Sequence, residues 1–364
     1  MSEKERCKDL ANLKKLEASG KINRGNDLEV IADELPQWRK DAENGSFEAK
    51  IRIIEFGLDY DIDKLKLVDD PDWSVRSRLA ERGRDQDLNV LVHDNQPVVR
   101  AKVAEEGRNQ DLNILVHDPD PFVREAVALQ DRGRDLAILV HDENAHVREA
   151  VAMGNRDEDL DVLVNDPSWM VREAVAMAGR DQDLDVLVND PNWAVRRAVA
   201  LVGRNKDLDV LVHDKNKNVR IAVADQGRGQ DLDRLIDDES PDVRAAVAYQ
   251  GRETDLSKLV NDKEATVRIS VAAQGRDADL DILVHDVDSD IRQVVAKQGR
   301  DQDLNILVHD ENPLVREMVV FAGRPKDLVI LVNDPNENVR QVARRRTKAD
   351  LSEIIAANAN RGKN

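Results

Sequence analysis

Apolar residues recur along this chain in two short helical patterns, each followed by polar residues that favour turns. Within residues 183–206, Leu184, Leu187 and Val188 lie at i, i+3 and i+4, which predicts one face of a short helix. A second apolar set in the same stretch predicts a second helix: Val195, Ala198, Val199 and Val202. Neither helix can bury its apolar face alone, so neighbouring helix pairs must stack on one another.

The residues between these apolar sets indicate where each helix begins and ends. Asp183 is expected to cap the first helix, because its carboxylate can accept the free amides of the first turn. Asp190 followed by Pro191 predicts the start of the second helix. Gly203 is expected to end that helix in the left-handed conformation that glycine adopts readily.

The whole pattern repeats every 24 residues. Four polar columns keep the same phase: Asp70 to Asp334, Asp87 to Asp327, Arg84 to Arg324, and a further arginine column. In that further column an arginine preceded by Val or Ile occurs thirteen times: Arg52, Arg76, Arg100, Arg124, Arg148, Arg172, Arg196, Arg220, Arg244, Arg268, Arg292, Arg316 and Arg340. The sequence therefore predicts an all-α solenoid of about thirteen short two-helix repeats.

The segment 118–128, Asp-Pro-Asp-Pro-Phe-Val-Arg-Glu-Ala-Val-Ala, makes a family resemblance specific. It resembles the HEAT repeat superfamily, and the 24-residue period is most similar to its short relative, the leucine-rich variant repeat. The resemblance covers about residues 50–348 and implies a right-handed superhelix whose first helices are often 3₁₀ turns. It also implies an Asp–Arg ladder between neighbouring repeats, with the aspartate six residues before the arginine, as in Asp94 and Arg100.

The ends of the chain depart from the repeat. Residues 1–50 are expected to form an N-terminal helical cap with a degenerate repeat, and residues 51–343 the repeat array. Residues 344–364, which begin with the basic cluster Arg344 to Lys348, are expected to form a C-terminal cap and a polar tail. Polar terminal units are what a solenoid needs to stay in solution.

Composition narrows the class of protein. The 364 residues carry a net charge of −18, and Cys7 is the only cysteine. A lone cysteine excludes internal disulfides and cysteine-cluster metal sites. No apolar run approaches the ~20 residues of a membrane helix, and the N-terminus has no apolar leader. We expect a cytoplasmic protein without membrane contact.

The acidic excess has two interpretations. One exposed row on the first helices consists of Asp161, Asp185, Asp209, Asp233 and Asp281. This row is either a solvated face that keeps the protein soluble, or an acidic strip that imitates nucleic acid and occupies a nucleic-acid-binding protein. Direct nucleic-acid binding is disfavoured, since phosphate contacts need net positive patches and each repeated arginine has an aspartate at fixed spacing.

No pattern in the sequence predicts an enzyme, a metal or a cofactor. Six histidines form one column, which suits a small polar residue near a helix end: His93, His117, His141, His213, His285 and His309. Repeats spaced ~8–10 Å apart place these imidazoles too far apart to share a zinc ion. A glycosylase or lyase of the HEAT-like superfamily is the least favoured alternative, because that glycosylase branch works with a basic groove.

Function is expected where the columns vary, because stacking determines the shared positions. Five residues after the repeated arginine, four middle repeats carry apolar side chains: Leu129, Met153, Met177 and Leu201. Acidic residues and tryptophans occur nearby on the same repeats: Glu125, Glu149, Glu173, Trp169 and Trp193. The resemblance implies that second helices line a concave groove. Packing between repeats is an equal alternative for the Leu/Met row, and burial is slightly favoured for the tryptophans.

A glutamine row follows in the C-terminal half: Gln226, Gln250, Gln274 and Gln298. It suits recognition of an extended peptide backbone, or it is simply hydrated. Together these features predict a non-enzymatic scaffold that binds a basic protein or peptide, with the Leu/Met row as anchor and the glutamates selecting charge. The alternative is the acidic decoy.

Overall fold

The computed structural model describes residues 3–18 and 28–347, and every regular element in these residues is a helix. The chain divides into two compact units, Met1–Asp183 and Leu184–Asn364. The first unit contains α1 (Glu3–Ala18), α2 (Leu28–Glu43), α3 (Phe47–Phe56), α4 (Asp59–Lys64), the 3₁₀ helix η1 (Leu67–Asp69), α5 (Trp73–Glu81), α6 (Asp85–Leu91), α7 (Pro97–Glu105), α8 (Asn109–Leu115), α9 (Pro121–Ala128), α10 (Gly133–Leu139), α11 (Ala145–Met153), α12 (Asp157–Leu163) and α13 (Trp169–Ala178).

Helix α14 (Asp181–Leu187) lies across the division between the two units. The second unit continues with α15 (Trp193–Val202), α16 (Asn205–Leu211), α17 (Lys217–Asp225), α18 (Gly229–Leu235), α19 (Pro241–Tyr249), α20 (Glu253–Leu259), α21 (Ala265–Ala273), α22 (Asp277–Leu283), α23 (Ser289–Gln298), α24 (Asp301–Leu307), α25 (Pro313–Ala322), α26 (Pro325–Leu331) and α27 (337–347). Lys348 and the expected polar tail lie outside the described residues. Within the described residues, no helix is long and apolar enough to cross a membrane.

The predicted all-α solenoid is confirmed. In each unit the second helix of a pair packs against the second helices of the neighbouring pairs, as α7, α9, α11 and α13 do in the first unit. The core between them is built from the repeated apolar positions, such as Leu160, Leu163, Val171 and Val175, which are fully buried. The first helices of the 24-residue repeats are seven-residue α-helices such as α12, so the 3₁₀ form that the resemblance implies for them is wrong here.

The helix ends correct two expectations. Helix α14 begins at Asp181, so Asp183 lies in its first turn rather than at its cap, and its carboxylate accepts a hydrogen bond from Arg180 Nε at 2.7 Å. Helix α15 begins at Trp193 with Asn192 as its cap, so Asp190 is not the predicted cap. Asp183 thus bonds a charged arginine, which makes a strong charge-assisted hydrogen bond, whereas Asp190 Oδ1 accepts the backbone amide of Asn192 at 2.8 Å, one residue before the helix begins.

The expected glycine signal is confirmed. Gly203 ends α15 with φ at 81°, the left-handed conformation predicted for it. A side chain there would be strained by this φ and would also meet Gln226 Oε1 at 2.6 Å. Glycine is therefore favoured at this position by its conformation, whereas the flexible Gln226 side chain could move aside.

Within each unit, an arginine with little exposure joins most second helices to the following repeat. Arg124 Nε donates to Asp142 Oδ2 at 2.6 Å and its Nη2 donates to Asp142 Oδ1 at 2.9 Å. Its Nη1 donates to the backbone carbonyl of Asp118 at 2.8 Å. The expected ladder is confirmed in a modified form, because the aspartate six residues before the arginine supplies its carbonyl and the following repeat supplies the carboxylate. The same carboxylate pairing, within each unit, joins Arg76–Asp94, Arg100–Asp118, Arg148–Asp166, Arg196–Asp214, Arg220–Asp238, Arg244–Asp262, Arg268–Asp286, Arg292–Asp310 and Arg316–Asp334.

A second arginine ladder joins successive first helices. In the second unit, Arg228 Nε donates to Asp231 Oδ2 at 2.6 Å, three residues ahead. Its other nitrogens reach the preceding repeat, donating to the carbonyl of Asn205 at 2.9 Å and to Asp209 Oδ1 at 2.6 Å. One guanidinium thus joins two repeats by using several of its five donors.

This second ladder is incomplete at Arg156. The buried Nη1 of Arg156 lacks a hydrogen-bond partner, and so does one buried carboxylate oxygen of Asp159. The neighbouring repeat has Ala137 where Asp161 serves Arg180, so an acceptor is missing. Burial raises the pKa of Asp159, with the charge of Arg156 opposing that rise. The contact between α10 and α12 therefore has fewer hydrogen bonds than its counterparts in the first unit.

The N-terminal register corrects the thirteen-member arginine column. Lys50, not Arg52, occupies the ladder position in α3, because Lys50 Nζ lies 2.7 Å from Asp70 Oδ2. Arg52 instead lies over the ring of Trp38, 5.4 Å from its centroid. Ala49 is buried where Val75 is buried in α5, so the step between these two helices is 26 residues and not 24. The strict 24-residue arginine column begins at Arg76.

Removing one ladder arginine tests its contribution to stability. Arg148→Ala leaves the buried Asp166 carboxylate without its cation, and we expect the free energy of unfolding to fall by about 3 kcal/mol. Urea denaturation followed by circular dichroism measures this change. Replacing Asp166 as well should recover part of the loss. Arg134→Ala, at a largely exposed arginine, should change it by less than about 0.5 kcal/mol.

The ladder also predicts the acid sensitivity of the fold. Burial alone would raise the pKa of Asp142, but hydrogen bonds from Arg124 and the Asn144 amide outweigh it and hold that pKa below its ordinary value. The same holds for Asp94, Asp214, Asp262, Asp286 and Asp334. Since these carboxyls bind protons more readily when unfolded, their stabilisation is complete above about pH 5 and is lost as the pH falls through and below about 4. Melting temperatures measured from about pH 7 to about pH 3 should drop steeply only at the acid end; a constant value would contradict this.

Candidate functional site

The exposed side of α13 carries an ordered stripe of three side chains. Trp169, Glu173 and Met177 follow one another at intervals of four residues, so they lie on one face of the helix. The opposite face buries Val171 and Val175 in the core. Trp169 and Met177 are exposed, and Glu173 between them is half-buried.

Helices α9 and α11 carry similar stripes beside it, although their first members, Phe122 and His146, correspond to Met170 in the 24-residue repeat and not to Trp169. On α9 the stripe is Phe122, Glu125 and Leu129, and on α11 it is His146, Glu149 and Met153. The three helices pack side by side, α9 against α11 and α11 against α13. We call these nine residues the three-helix face. A row of glutamates runs along its middle, with the Leu/Met row on one side and Phe122, His146 and Trp169 on the other.

The structure decides the question of burial that the sequence left open. Leu129, Met153 and Met177 are 58%, 63% and 57% exposed, so they do not pack between repeats. Leu201, the fourth member of the predicted row, is half-buried and lies in the second unit. The exposed three extend from the end of each second helix, beyond the valines that form the core.

The expected burial of the tryptophans is wrong. Trp169 and Trp193 are 43% and 42% exposed. Each is the first residue of its helix rather than part of the preceding loop. Four residues before Glu173 and Arg197, they share the outward side of the helix and cannot turn into the core.

Electrostatics separates the glutamates from the repeated arginines. Arg124 and Arg148 are held by Asp142 and Asp166, as described for the ladder. The segments α9, α11 and α13 contain no lysine. Outside the ladder, the charge of the three-helix face therefore comes from its glutamates. His146 Nδ1 lies 3.3 Å from Glu149 Oε2 and can partly balance that carboxylate when the imidazole is protonated.

The second unit changes this pattern and later repeats it. On α15 the stripe is Trp193, Arg197 and Leu201, with a cation in the middle, and Arg197 acts electrostatically on Asp225 of α17. Burial raises the pKa of Asp225, and the charge of Arg197 opposes that rise. On α25 the acidic stripe returns as Leu314, Glu317 and Phe321, with both apolar members exposed. The sequence analysis missed this stripe, although an apolar–Glu–apolar spacing around the repeated arginine could have revealed it.

Three members of the glutamine row bond a backbone carbonyl of the preceding repeat. Gln274 Nε2 donates to the carbonyl of Tyr249 at 3.2 Å, and Gln226 and Gln298 make the equivalent bonds to Leu201 and Ala273. These glutamine oxygens also lie close to the glycine that ends the preceding second helix, as Gln226 does at Gly203. Gln226 and Gln298 are nevertheless exposed, so recognition of an extended backbone by the glutamine row, or its simple hydration, stays a prediction.

The aspartates of the row on the first helices are exposed, but each accepts a hydrogen bond from an arginine. Asp161 accepts from Arg180 at 2.8 Å in the first unit, and in the second unit Asp185, Asp209, Asp233 and Asp281 accept from Arg204, Arg228, Arg252 and Arg300. These arginines neutralise much of the row.

The column histidines are exposed, and the described residues contain no group of three His, Cys, Asp or Glu side chains placed to hold a metal ion.

A ridge of branched apolar side chains on the first helices also escaped the sequence analysis. It recurs at one repeat position, with about half of each side chain exposed: Val90, Ile114, Ile138 and Val162 in the first unit, and Val186, Val210, Ile282, Ile306 and Ile330 in the second. The period was visible in the sequence. Only the structure shows that this position lies outside the core.

Exposure of the Leu/Met row can be tested by oxidation. We expect dilute hydrogen peroxide to oxidise Met153 and Met177 several-fold faster than Met170 and Met318, which are half-buried. Peptide mass spectrometry over a time course measures each rate. Equal rates for the four thioethers would contradict the exposed row.

Comparison with known proteins gives similarities to helical repeat structures. No protein-family model and no curated protein match the sequence. Among solved structures, a leucine-rich repeat variant with a novel repetitive structural motif is 28% identical over 57% of this chain and 88% of its own, with a TM-score of 0.48. The Escherichia coli protein YibA is 17% identical over 70% and 97% of the two chains, with a TM-score of 0.28. A designed armadillo repeat protein in complex with the peptide (KR)4 is 15% identical over 78% and 96%, with a TM-score of 0.12.

Proposed function

We propose that this protein is a non-enzymatic scaffold that binds a protein or peptide of basic character on the three-helix face. One observation carries the proposal: three adjacent helices present the same order of side chains on their outward sides. The first is aromatic (Phe, His or Trp), the second is a glutamate, and the third is a leucine or methionine. The repeated positions around them are used for packing between repeats. Methionine and aromatic side chains are favoured in adaptable binding surfaces.

The two kinds of side chain on this face have different roles in binding. The Leu/Met row supplies free energy, because removing a Met or Leu side chain from water contributes about 1.5–3 kcal/mol when burial is complete. The half-buried glutamates Glu125, Glu149 and Glu173 select the charge of the partner, since a covered carboxylate without a cation is costly. A partner must therefore present basic and apolar groups together.

Trp193 and Leu201 belong to the second unit, and we propose them by themselves as an apolar binding stripe of that unit. Their stripe has Arg197 in place of glutamate, so we expect it to contribute apolar contact without selecting a basic group. Trp193 also borders an open cavity of about 470 Å³ lined by Pro191, Arg196 and Lys215.

The acidic decoy is the second candidate, and its support is the net charge of −18. A decoy depends on exposed, uncompensated carboxylates arranged like phosphates. The aspartate row does not suit this role well, because each of its five members accepts a hydrogen bond from an arginine of the following repeat. A HEAT-like glycosylase or lyase remains the least favoured candidate and would require an activity that depends on one non-repeated residue.

A charge-adding double variant separates the scaffold from the decoy. The probes are synthetic 20-residue peptides of three compositions, lysine/leucine, glutamate/leucine and serine/glycine, with binding followed by fluorescence anisotropy. We expect only the lysine/leucine peptide to bind, and Met153→Asp with Met177→Asp to weaken it at least about tenfold, which corresponds to about 1.4 kcal/mol. A purely electrostatic decoy would instead bind this peptide equally or more tightly, because the variant is more acidic.

Two measurements complete this test. Binding to the apolar row should persist at about 0.5 M salt, where the screening length falls to a few ångströms. Tyr249→Asp, at an exposed residue of the second unit, is the matched control and should leave binding unchanged. Binding by the glutamate/leucine peptide with equal affinity would contradict the proposal.

A further inference from the structure

The spacing of the glutamate row limits the conformation of a partner. Packed neighbouring helices have axes ~8–10 Å apart, so Glu125, Glu149 and Glu173 recur at about that distance. An α-helix rises 1.5 Å per residue, and two of its turns advance about 10.8 Å in about seven residues. A helix lying across α9, α11 and α13 would therefore present one side chain to each glutamate at every seventh residue.

The width of the face leads to the same result. Trp169 and Met177 are eight residues apart on α13, which corresponds to about 12 Å along the helix. An α-helix with its side chains is about 10–12 Å across. The two outer rows are thus far enough apart to contact both flanks of one helix whose central stripe lies on the glutamates.

The hydrogen-bonding groups of the face disfavour an extended partner. The backbone groups in the middle of α9, α11 and α13 are bonded within their own helices, and the stripes offer only carboxylates, the His146 imidazole and the Trp169 indole N–H. An extended peptide would lose water from its amides and carbonyls without regular replacement, which costs free energy. An α-helix satisfies these groups internally.

We infer that the partner segment is a basic amphipathic α-helix of about 20 residues that lies across the three-helix face. Basic residues at i, i+7 and i+14 meet Glu125, Glu149 and Glu173, and apolar residues three or four positions away contact the outer rows. The face begins at α9, because α7 has Ala101 at the glutamate position and Glu105 at the Leu/Met position. This inference rests on the proposed function and specifies the partner's conformation.

Three peptides of matched composition test the conformation. One 20-residue peptide carries lysines at seven-residue intervals with flanking leucines; the second has the same residues in alternating order; the third has the first sequence with one central alanine replaced by proline. We expect the first to bind at least about tenfold more tightly than the other two, and to gain helical circular dichroism on binding. Equal affinity of the three peptides would overturn the inference.

Variants distinguish this failure from failure of the proposed function. Glu149→Lys places a cation at the centre of the row and should weaken the first peptide at least about tenfold. Glu239→Lys makes the same change of charge at an exposed loop residue of the second unit and should have little effect. If all three peptides bind equally and Met153→Asp with Met177→Asp removes their binding, the proposed binding surface is supported and the inference of a helical partner is wrong. If the double variant binds every peptide as the wild type does, the proposed function itself fails.

Discussion

The buried bidentate contact between an arginine and the aspartate of the following repeat is the interaction on which this structure depends. Each pair is shielded from water, so both charges need their partner and neither can be removed alone without cost. A guanidinium also has donors to spare, which lets Arg124 bind a carbonyl of its own repeat and a carboxylate of the next. Repeats without a large aromatic core are thereby fixed in register.

The ladders also decide which parts of the chain can be used for recognition. The repeated arginines and aspartates are committed to contacts between repeats. Side chains that differ from repeat to repeat lie outside the repeated ladder positions, and on α9, α11 and α13 they form one surface. The three-helix face thus consists of residues that are not part of the ladder, and its acidic character comes from its three glutamates.

Departures from the repeat have local physical consequences. Two extra residues between α3 and α5 move Lys50 into the position that an arginine takes elsewhere, and Arg52 is left to cover Trp38. Asp131 and Asn155 adopt positive φ where other repeats have glycine, in the same part of the first unit where Arg156 Nη1 lacks an acceptor. Backbone strain and a missing hydrogen bond both lower local stability. We therefore expect the region from α10 to α12 to have the lowest free energy of local unfolding among the repeats of that unit.

The sequence by itself determined the fold class, the 24-residue repeat, the pairing of arginine with aspartate and the left-handed glycine at position 203, because each is a local or periodic requirement of backbone and charge. It also located the Leu/Met row and the glutamates. Only the tertiary structure decided which partner each aspartate has. The Asp183 carboxylate could accept hydrogen bonds from the first amides of its helix or from an arginine, and the sequence pattern is the same in both cases. Exposure likewise depends on neighbouring helices, because packing between helices determines which side of each helix remains open. Trp169 and the ridge of Val and Ile side chains that begins at Val90 therefore lie outward, whereas three glutamines bond back to the preceding repeat.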